Sequence, residues 1–378
     1  MVVPFLTYLI LFLVPLIVVP GIALRFEPPK VLVTEVLIII LAAYFIATGK
    51  FAFKKVNRYL AGLLGGLFLL SLSHLLAAPS SQSLFGNVFR LQGVVLFWIL
   101  LVFAIIAQID PFRLKERAIY LCALVSLVIG GLVFGSNSAG RWIGSLGEPN
   151  ALGAAIVFIF PFVFLSFKSI WVKIVSLFAA FLVINFSESR SALVGIVVQL
   201  IFILMVGKLK IKAIAASGIS ILIIVLSLGL PILDRVYFLK TNSDPYVFRY
   251  EDRAEIWQVA INAGGKSPIF GSGIEAIQGK INKTAQEMNV NSQYQIIDSS
   301  HNLLLDYWVW GGFIALFLIM VLVTLTIFNM SKKGMTLELT VFLGLIAVLM
   351  FNPTTVSVLA GFWWLIGKSF GKPEKDTL

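Results

Sequence analysis

Arg190 stands where a cation could hold an anionic ligand. It lies in SESRSALVG, directly before an apolar run, with Ser187 and Ser189 as candidate helix N-caps. The pattern predicts Arg190 in the first turn of a helix, beside backbone N–H groups that attract anions. A guanidinium group also matches the oxygen geometry of phosphate. The alternative interpretation is an interfacial arginine paired with Glu188.

His301 has a similar setting at the start of a later apolar run. It follows Asp298-Ser299-Ser300, a cap signal, and opens the stretch HNLLLDYWVWGGF. The positive end of a helix favours a neutral imidazole, which can accept a proton. A histidine hydrogen-bonded to a loop at the membrane interface is the alternative. His74, the other histidine, lacks such a cap and is interpreted as structural.

Two further arginines, Arg249 and Arg253, are four residues apart and so share one face of a helix. They could form a second clamp on the same anion. They could equally belong to a solvated face on which they pair with Asp252 or Glu255. The sequence does not decide between these two interpretations.

Arg141 and Asn150 occur together in RWIGSLGEPN, a glycine-rich approach to another apolar run. Arg141 is a further candidate for the site because it lies just before a predicted helix, and Asn150 belongs to the turn-rich approach to that helix. A simple reverse turn explains the same residues.

Composition identifies the elements that must position these groups. Of the 378 residues, 59% are hydrophobic and 12% are charged, whereas soluble chains carry about 25% charged residues. The mean hydropathy is +0.99. The apolar runs are continuous rather than alternating, so we predict an all-α polytopic membrane protein and not a barrel.

Several kinds of chemistry are disfavoured by what the sequence lacks. Cys122 is the single cysteine and there are two histidines, which argues against a disulfide framework and a multi-histidine metal site. Walker, dinucleotide and zincin motifs are missing. Neither a metal nor another cofactor is therefore expected.

About twelve apolar runs are long enough to be candidate spans, within a single integral membrane domain over 1–378. The last two are the weakest and meet at Asn352-Pro353, which could be a tight turn or a break in a re-entrant pair. The runs cover approximately 4–24, 31–48, 59–78, 91–108, 117–134, 150–167, 170–186, 190–206, 211–231, 302–329, 336–351 and 353–370.

Lys and Arg are concentrated in alternate short connectors, which the positive-inside rule places in the cytoplasm. Both termini are then cytoplasmic. The net charge of +11 follows from topology, so no nucleic-acid partner is expected. The long polar segment 232–301 becomes an extracytoplasmic loop between the ninth and tenth spans, on the same side as the candidate site residues.

Two short amphipathic helices are predicted in this loop, lying flat on the membrane or covering the bundle as a lid. Gly264 and Gly265 end the first helix. One apolar face is predicted for each helix. The first face is Tyr250, Ala254, Trp257 and Ile261, and the second is Ile274, Ile277, Ile281 and Met288.

Four segments in this order resemble the O-antigen ligase and O-antigen polymerase superfamily of bacterial envelope glycosyltransferases. They are RWIGSLGEPNALG, SESRSALVG, RAEIWQVAINAGGKSPIFGSG and HNLLLDYWVWGG. The resemblance covers roughly 135–330, and the first four spans carry no signature. It implies metal-independent transfer of a glycan from an undecaprenyl-diphosphate carrier. Arg190 and Arg253 would bind the diphosphate, His301 would be catalytic, and Arg141 with Asn150 match a further family motif.

One departure from the family pattern leaves a question open. Many members carry an acid shortly before the glycine pair that follows the histidine. Here Trp310 precedes Gly311-Gly312, and Asp306 stands half a turn or more away. The group that orients His301 is therefore not identified by sequence.

The leading hypothesis is an inverting transfer to an acceptor sugar hydroxyl, by a ligase or a polymerase of lipopolysaccharide or another cell-envelope polysaccharide. The expected partners are the lipid-linked donor, a glycan or lipid-linked acceptor, and membrane lipids. The expected location is the bacterial inner membrane. A transporter or flippase of lipid-linked glycans is the main alternative, and a non-catalytic scaffold is another. The few charges inside spans, Asp306, Glu35 and Glu338, argue against ion-coupled transport.

Overall fold

The computed structural model describes residues 2–51, 53–110, 116–137, 140–208, 210–216, 218–219, 250–274, 276–288, 297 and 299–372. The described chain is all-α, as predicted, with one isolated β-bridge between Ser136 and Trp142. The helices are α1 (Val2–Leu16), α2 (Glu27–Ala47), α3 (Arg58–Ala77), α4 (Ser81–Phe85), α5 (Val94–Ile109), α6 (Arg117–Phe134), α7 (Pro149–Ser166), α8 (Ile170–Ser187), α9 (Arg190–Val206), α10 (Tyr250–Gly265), α11 (Ala276–Glu287), α12 (Leu303–Lys332), α13 (Thr336–Leu349) and α14 (Val356–Phe370).

Among the described residues, six helices are long and apolar enough to cross a membrane, and five shorter apolar helices accompany them. Together they coincide with eleven of the predicted spans. The ninth predicted span, 211–231, lies mostly outside the described residues, so the count of twelve crossings stays a prediction. The first helix ends at Leu16 rather than near residue 24, ahead of Pro20 and of Gly21 with a φ of 85°.

The centre of the bundle is formed by α7, α13 and α14. Most of α7 is buried, and α13 packs on α7 and α9 while α14 packs on α5. A helix that is apolar all round belongs inside a bundle, which explains why the two short last helices looked weak as independent spans. They are separate helices, and the connector 350–355 between them contains Asn352-Pro353.

Hydrogen bonds place several connectors at one end of the bundle, here called the site end. The loop between α11 and α12 meets the connector 350–355 there, and so do the connectors before α5 and α7. The contacts are Asn302 Nδ2 to Met350 O, Asn352 Nδ2 to Asn150 O, Arg90 Nη1 to Thr354 O, and Asn87 Nδ2 to Gln278 Oε1. The predicted grouping of these connectors on one face is therefore found.

A kink in α12 receives the segment 268–273. Gly312 interrupts the helix with φ 59° and ψ −154°. The carbonyls of Val309 and Trp310 then accept bonds from the amides of residues 272 and 273, while the amides of residues 313 and 314 donate to the carbonyls of 268 and 269. A Cβ at position 312 would lie 2.6 Å from the Ile269 backbone, so glycine is required.

The two loop helices pack on each other and on the first turns of α12. Their shared core contains Val309 and is separate from the main core of the bundle. The predicted face of α11 is confirmed for Ile281, which is buried, and for Ile277 and Met288, which pack against this core. The fourth predicted residue, Ile274, lies before the helix and packs against the main core. The predicted face of α10 is wrong because Ile261 is exposed. The buried face of α10 is Ile256, Val259, Ala260 and Ala263.

The placement of the two helices flat on the membrane or as a lid over the bundle stays a prediction. Their apolar faces are used within the protein. An ion pair between Lys266, just after α10, and Glu287, at the end of α11, joins the helices on the outside. The hydrogen bond from Lys266 lowers the pKa of the Glu287 carboxyl.

Candidate active site

Two residues separate α8 from α9, and the stretch 187–190 around them is here called the Arg190 turn. Ser189 is the N-cap of α9, and its Oγ accepts a bond from the amide of Ala192 at 3.4 Å. Arg190 is the first helical residue and is partly exposed. The predicted cap and the predicted position of Arg190 are both confirmed. The guanidinium group of Arg190 thus stands at the positive end of α9.

Arg141 fixes this turn from another connector. Its side chain is 9% exposed, with Nε donating to Ser187 O at 2.9 Å and Nη2 to Glu188 O at 3.4 Å. Both carbonyls lie at the end of α8, where backbone acceptors lack partners within the helix. The Glu188 carboxylate lies 3.9 Å from Arg141 Nε. Glu188 therefore lies beside Arg141. Its pairing with Arg190 stays a prediction.

Asn150 holds Arg141 in position at the start of α7. Its Oδ1 accepts from Arg141 Nη2 at 3.3 Å, and its Nδ2 donates to Glu148 Oε1 at 3.2 Å. Its backbone carbonyl accepts from Asn352 Nδ2 at 3.3 Å. Arg141 and Asn150, which are nine residues apart in the sequence, are therefore in direct contact. This contact supports the Arg190 turn.

His301 lies in a second turn, here called the His301 turn (Ser299–Asn302). Asn302 is the N-cap of α12, with Oδ1 accepting from the amides of Leu304 at 3.0 Å and Leu305 at 3.2 Å. The predicted cap at residues 298–300 is therefore wrong, and His301 precedes the helix. Its φ of 56° is unusual for a residue with a side chain, and Ser299 Oγ accepts from its amide at 3.1 Å.

Asp306 holds the His301 turn through its neighbour. It is 8% exposed in the first turns of α12, and Oδ1 accepts both from Ser300 N at 2.8 Å and from Ser300 Oγ at 2.7 Å. Asp306 therefore contacts Ser300, the residue directly before His301. It fixes the backbone that presents the imidazole.

The connector 350–355 contacts the His301 turn directly and the Arg190 turn through intermediates. Asn302 Nδ2 donates to Met350 O at 3.2 Å, and Asn352 Nδ2 donates to the carbonyl of Asn150. Between these two residues, Phe351 packs its ring 5.9 Å from the ring of Trp257 in α10. The Arg190 turn is therefore linked to the connector by way of Asn150 and Arg141.

The remaining predicted residues are placed as follows. Arg253 lies one turn before Trp257 in α10 and is partly exposed. Arg249 lies outside the described residues. Within the described chain, there is no group of three or more His, Cys, Asp or Glu side chains that could hold a metal ion.

Sequence reasoning missed three features of this site. The capping role of Asn302 had a signal, because asparagine directly before an apolar run is a favoured N-cap. The role of Asn352 had only its turn-forming neighbour Pro353 as a hint. The pairing of 268–273 with the kink at Gly312 is a backbone contact that residue types do not specify.

Residues 174–320 match a family model described as O-antigen ligase. The match includes the Arg190 turn, α10, α11 and the His301 turn, and it confirms the resemblance predicted from the four segments. Arg141, Asn150 and the connector 350–355 lie outside it. The family indicates a membrane protein that transfers glycans. No curated protein gives a significant match to the chain.

Proposed function

Because residues 174–320 match the O-antigen ligase family, we propose that this chain transfers a glycan from undecaprenyl diphosphate to a sugar hydroxyl. One observation carries the proposal. At one end of a membrane bundle, a turn that presents an imidazole contacts the connector 350–355, and the same connector is linked through Asn150 and Arg141 to a cationic turn at a helix start.

The diphosphate of the donor would lie at the Arg190 turn. When the bond between the anomeric carbon and the diphosphate breaks, negative charge grows on the leaving oxygen. Arg190 and the N–H groups at the start of α9 stabilise that charge without needing to move. Arg253, and Arg249 before it, would supply further cations from α10. Arg141 and Asn150 act as positioning residues, because their contacts fix the turn itself.

His301 would act as the general base. The acceptor hydroxyl gives its proton to the imidazole as its oxygen forms the new bond to the anomeric carbon. The bond to the diphosphate oxygen breaks on the opposite face, and undecaprenyl diphosphate leaves. A single displacement inverts the anomeric configuration. Asp306 acts as a positioning residue that keeps the His301 turn in place.

The site end would face the extracytoplasmic side of the bacterial inner membrane, with both termini in the cytoplasm. The support is the distribution of Lys and Arg over the connectors. Single cysteines introduced at position 81, in α4, and at position 332, at the opposite end of α12, test this in a Cys122→Ser background. An impermeant thiol reagent applied to intact cells should label the first and not the second.

Reconstitution tests the activity. Purified protein in nanodiscs is incubated with a labelled lipid-linked glycan from the source bacterium and with candidate acceptors, and the products are sized. A ladder identifies a polymerase, and a single addition to a different acceptor identifies a ligase. Movement of the glycan across proteoliposomes without a new glycosidic bond would overturn the proposal in favour of a flippase.

A further inference from the structure

A cavity of about 140 Å³ lies beside the His301 turn. Ser299, Leu303 and Asp306 form part of its wall, and Pro353 and Thr354 of the connector form another part. It is therefore next to the turn that presents His301, yet separated from the contacts of Arg141 by the connector. We call it the amide-rimmed cavity.

Its polar rim comes from two distant segments. Asn87 and Gln92 belong to the connector between α4 and α5, and Gln278 belongs to α11. Asn87 Nδ2 donates to Gln278 Oε1 at 3.2 Å, and Thr354 Oγ1 donates to Gln92 Oε1 at 3.0 Å. These bonds hold the amide of Gln278, which has both donor and acceptor groups, at the rim, whereas Gln92 Nε2 is engaged by Glu27 Oε1 and Thr354 O.

The inner wall is aromatic and aliphatic. Trp310 and Trp363 are buried, and Phe97 packs on both, with ring centroids 5.7 Å and 5.9 Å apart respectively. Tyr307 and Leu96 complete this part of the wall. An apolar wall with a few fixed polar groups is the usual composition of a small-molecule site.

The charge of the cavity separates it from a phosphate site. Arg90 and Asp306 are the charged groups among its described lining residues, and they are of opposite sign. Arg90 Nη1 is engaged by Thr354 O at 2.9 Å, and Asp306 Oδ1 by Ser300. A diphosphate needs an excess of cations, which this cavity does not provide.

We propose that the amide-rimmed cavity binds one neutral sugar ring of a glycan, next to His301. Hydroxyl groups of a sugar both donate and accept, as the amides of the rim do, and the C–H face of the ring can lie on the aromatic wall. The inference rests on the proposed function, and the ring could belong to the acceptor or the donor glycan.

Transfer kinetics identify the source of the ring. Gln278→Ala should raise KM about tenfold for the glycan that enters the cavity and leave kcat within about twofold. A rise in the acceptor KM assigns the ring to the acceptor, and a rise in the donor KM assigns it to the donor. Gln286, exposed on the same helix, supplies the control Gln286→Ala, which should change neither. An unchanged KM for both glycans in Gln278→Ala would overturn the proposal.

A direct binding measurement separates this proposal from the proposed function. Oligosaccharides released by mild acid from the surface glycan of the source bacterium are titrated calorimetrically into wild-type protein, with farnesol as a hydrocarbon probe. The oligosaccharides should bind, and Leu96→Phe, which fills the cavity, should abolish the binding. Leu69→Phe, on an exposed face of α3, is the matched control.

Binding of farnesol alone would overturn the sugar assignment even if transfer is observed. Sugar binding without transfer would overturn the function and keep the cavity.

Discussion

The Arg190 turn and the His301 turn each stand before a helix, but different kinds of contact fix them. Side chains from other connectors hold the Arg190 turn, above all Arg141, which is 46 residues from Ser187. Side chains of its own helix start hold the His301 turn, namely Asn302 and Asp306, which lies six residues after Ser300. The cationic turn has a local cap at Ser189 but depends on Arg141 from a distant connector, whereas the imidazole turn is held mainly by its own helix start, with one distant bond from Asn302 to Met350 O.

The difference matches the two tasks proposed for these turns. A diphosphate is bound by charge over a range of distances, so a turn assembled from several connectors is sufficient. Proton transfer requires a heavy-atom distance of about 3 Å, which favours a turn that is fixed by its immediate neighbours.

Removing the imidazole should have the largest effect. His301→Ala is expected to lower the rate of glycan transfer about 10²- to 10⁴-fold, as is usual for loss of a general base, while binding of the lipid-linked donor is kept. His74→Gln, a control change at the other histidine, should retain most of the activity. Full transfer by His301→Ala would show that this turn presents no base.

Removing the cation should have the next largest effect. Arg190→Ala is expected to lower the transfer rate about 100-fold, because stabilisation of the leaving diphosphate is lost. Arg190→Lys should recover part of the rate, since the charge is kept without the bidentate geometry. Arg117 also opens a helix, α6, and is exposed, so Arg117→Ala is the control. An equal loss in Arg117→Ala would mean that the effect of Arg190 is not specific to the site.

Loss of Asp306, which holds the His301 turn, should lower the transfer rate less than loss of the His301 imidazole or the Arg190 guanidinium group. Asp306→Ala is expected to lower kcat about 10- to 100-fold, because the His301 turn loses both bonds to Ser300 and the base is misplaced. Asp306→Asn keeps an acceptor and should restore most of the rate. The pH profile of the residual activity is measured as well. A profile that moves in Asp306→Ala and returns in Asp306→Asn indicates positioning of the base, whereas an unchanged profile with lowered expression would indicate a purely structural role.

The smallest loss of transfer rate is expected for a change at Asn352, in the connector 350–355. Asn352 is 2% exposed, and Asn352→Ala removes its bond to Asn150, at a cost of about 1 kcal/mol in stability. The transfer rate should fall no more than about tenfold. A double variant with Asp306→Ala measures the coupling between the turns. Strictly additive effects would show that the connector holds each turn separately.

The parts of the site that sequence could predict are those with local causes. The cap at Ser189 and the place of Arg190 follow from a serine before an apolar run, because capping involves residues three apart. The same rule failed to select Asn302 over Ser299 and Ser300, since Ser300 is occupied by Asp306 through a bond that a capping pattern does not describe.

The parts that could not be predicted have distant causes. The contact of Arg141 with Glu188 joins separate connectors, and nothing in either segment specifies the other. The buried face of α10 was mistaken because Ala260 and Ala263 carry a weak apolar signal beside Trp257 and Ile261. The position of Val309, more than forty residues later, decides which face is covered.

The kink at Gly312 has a consequence for the biogenesis of the protein. Backbone groups of Val309, Trp310 and Phe313 find their partners in 268–273 and not within α12. Lipid offers no substitute for those partners, so α12 is a complete transmembrane helix only after that segment has docked. The ribosome delivers 268–273 before Gly312, and docking can therefore accompany release of α12 into the bilayer. We therefore expect the segment 268–273 and α12 to fold as one unit.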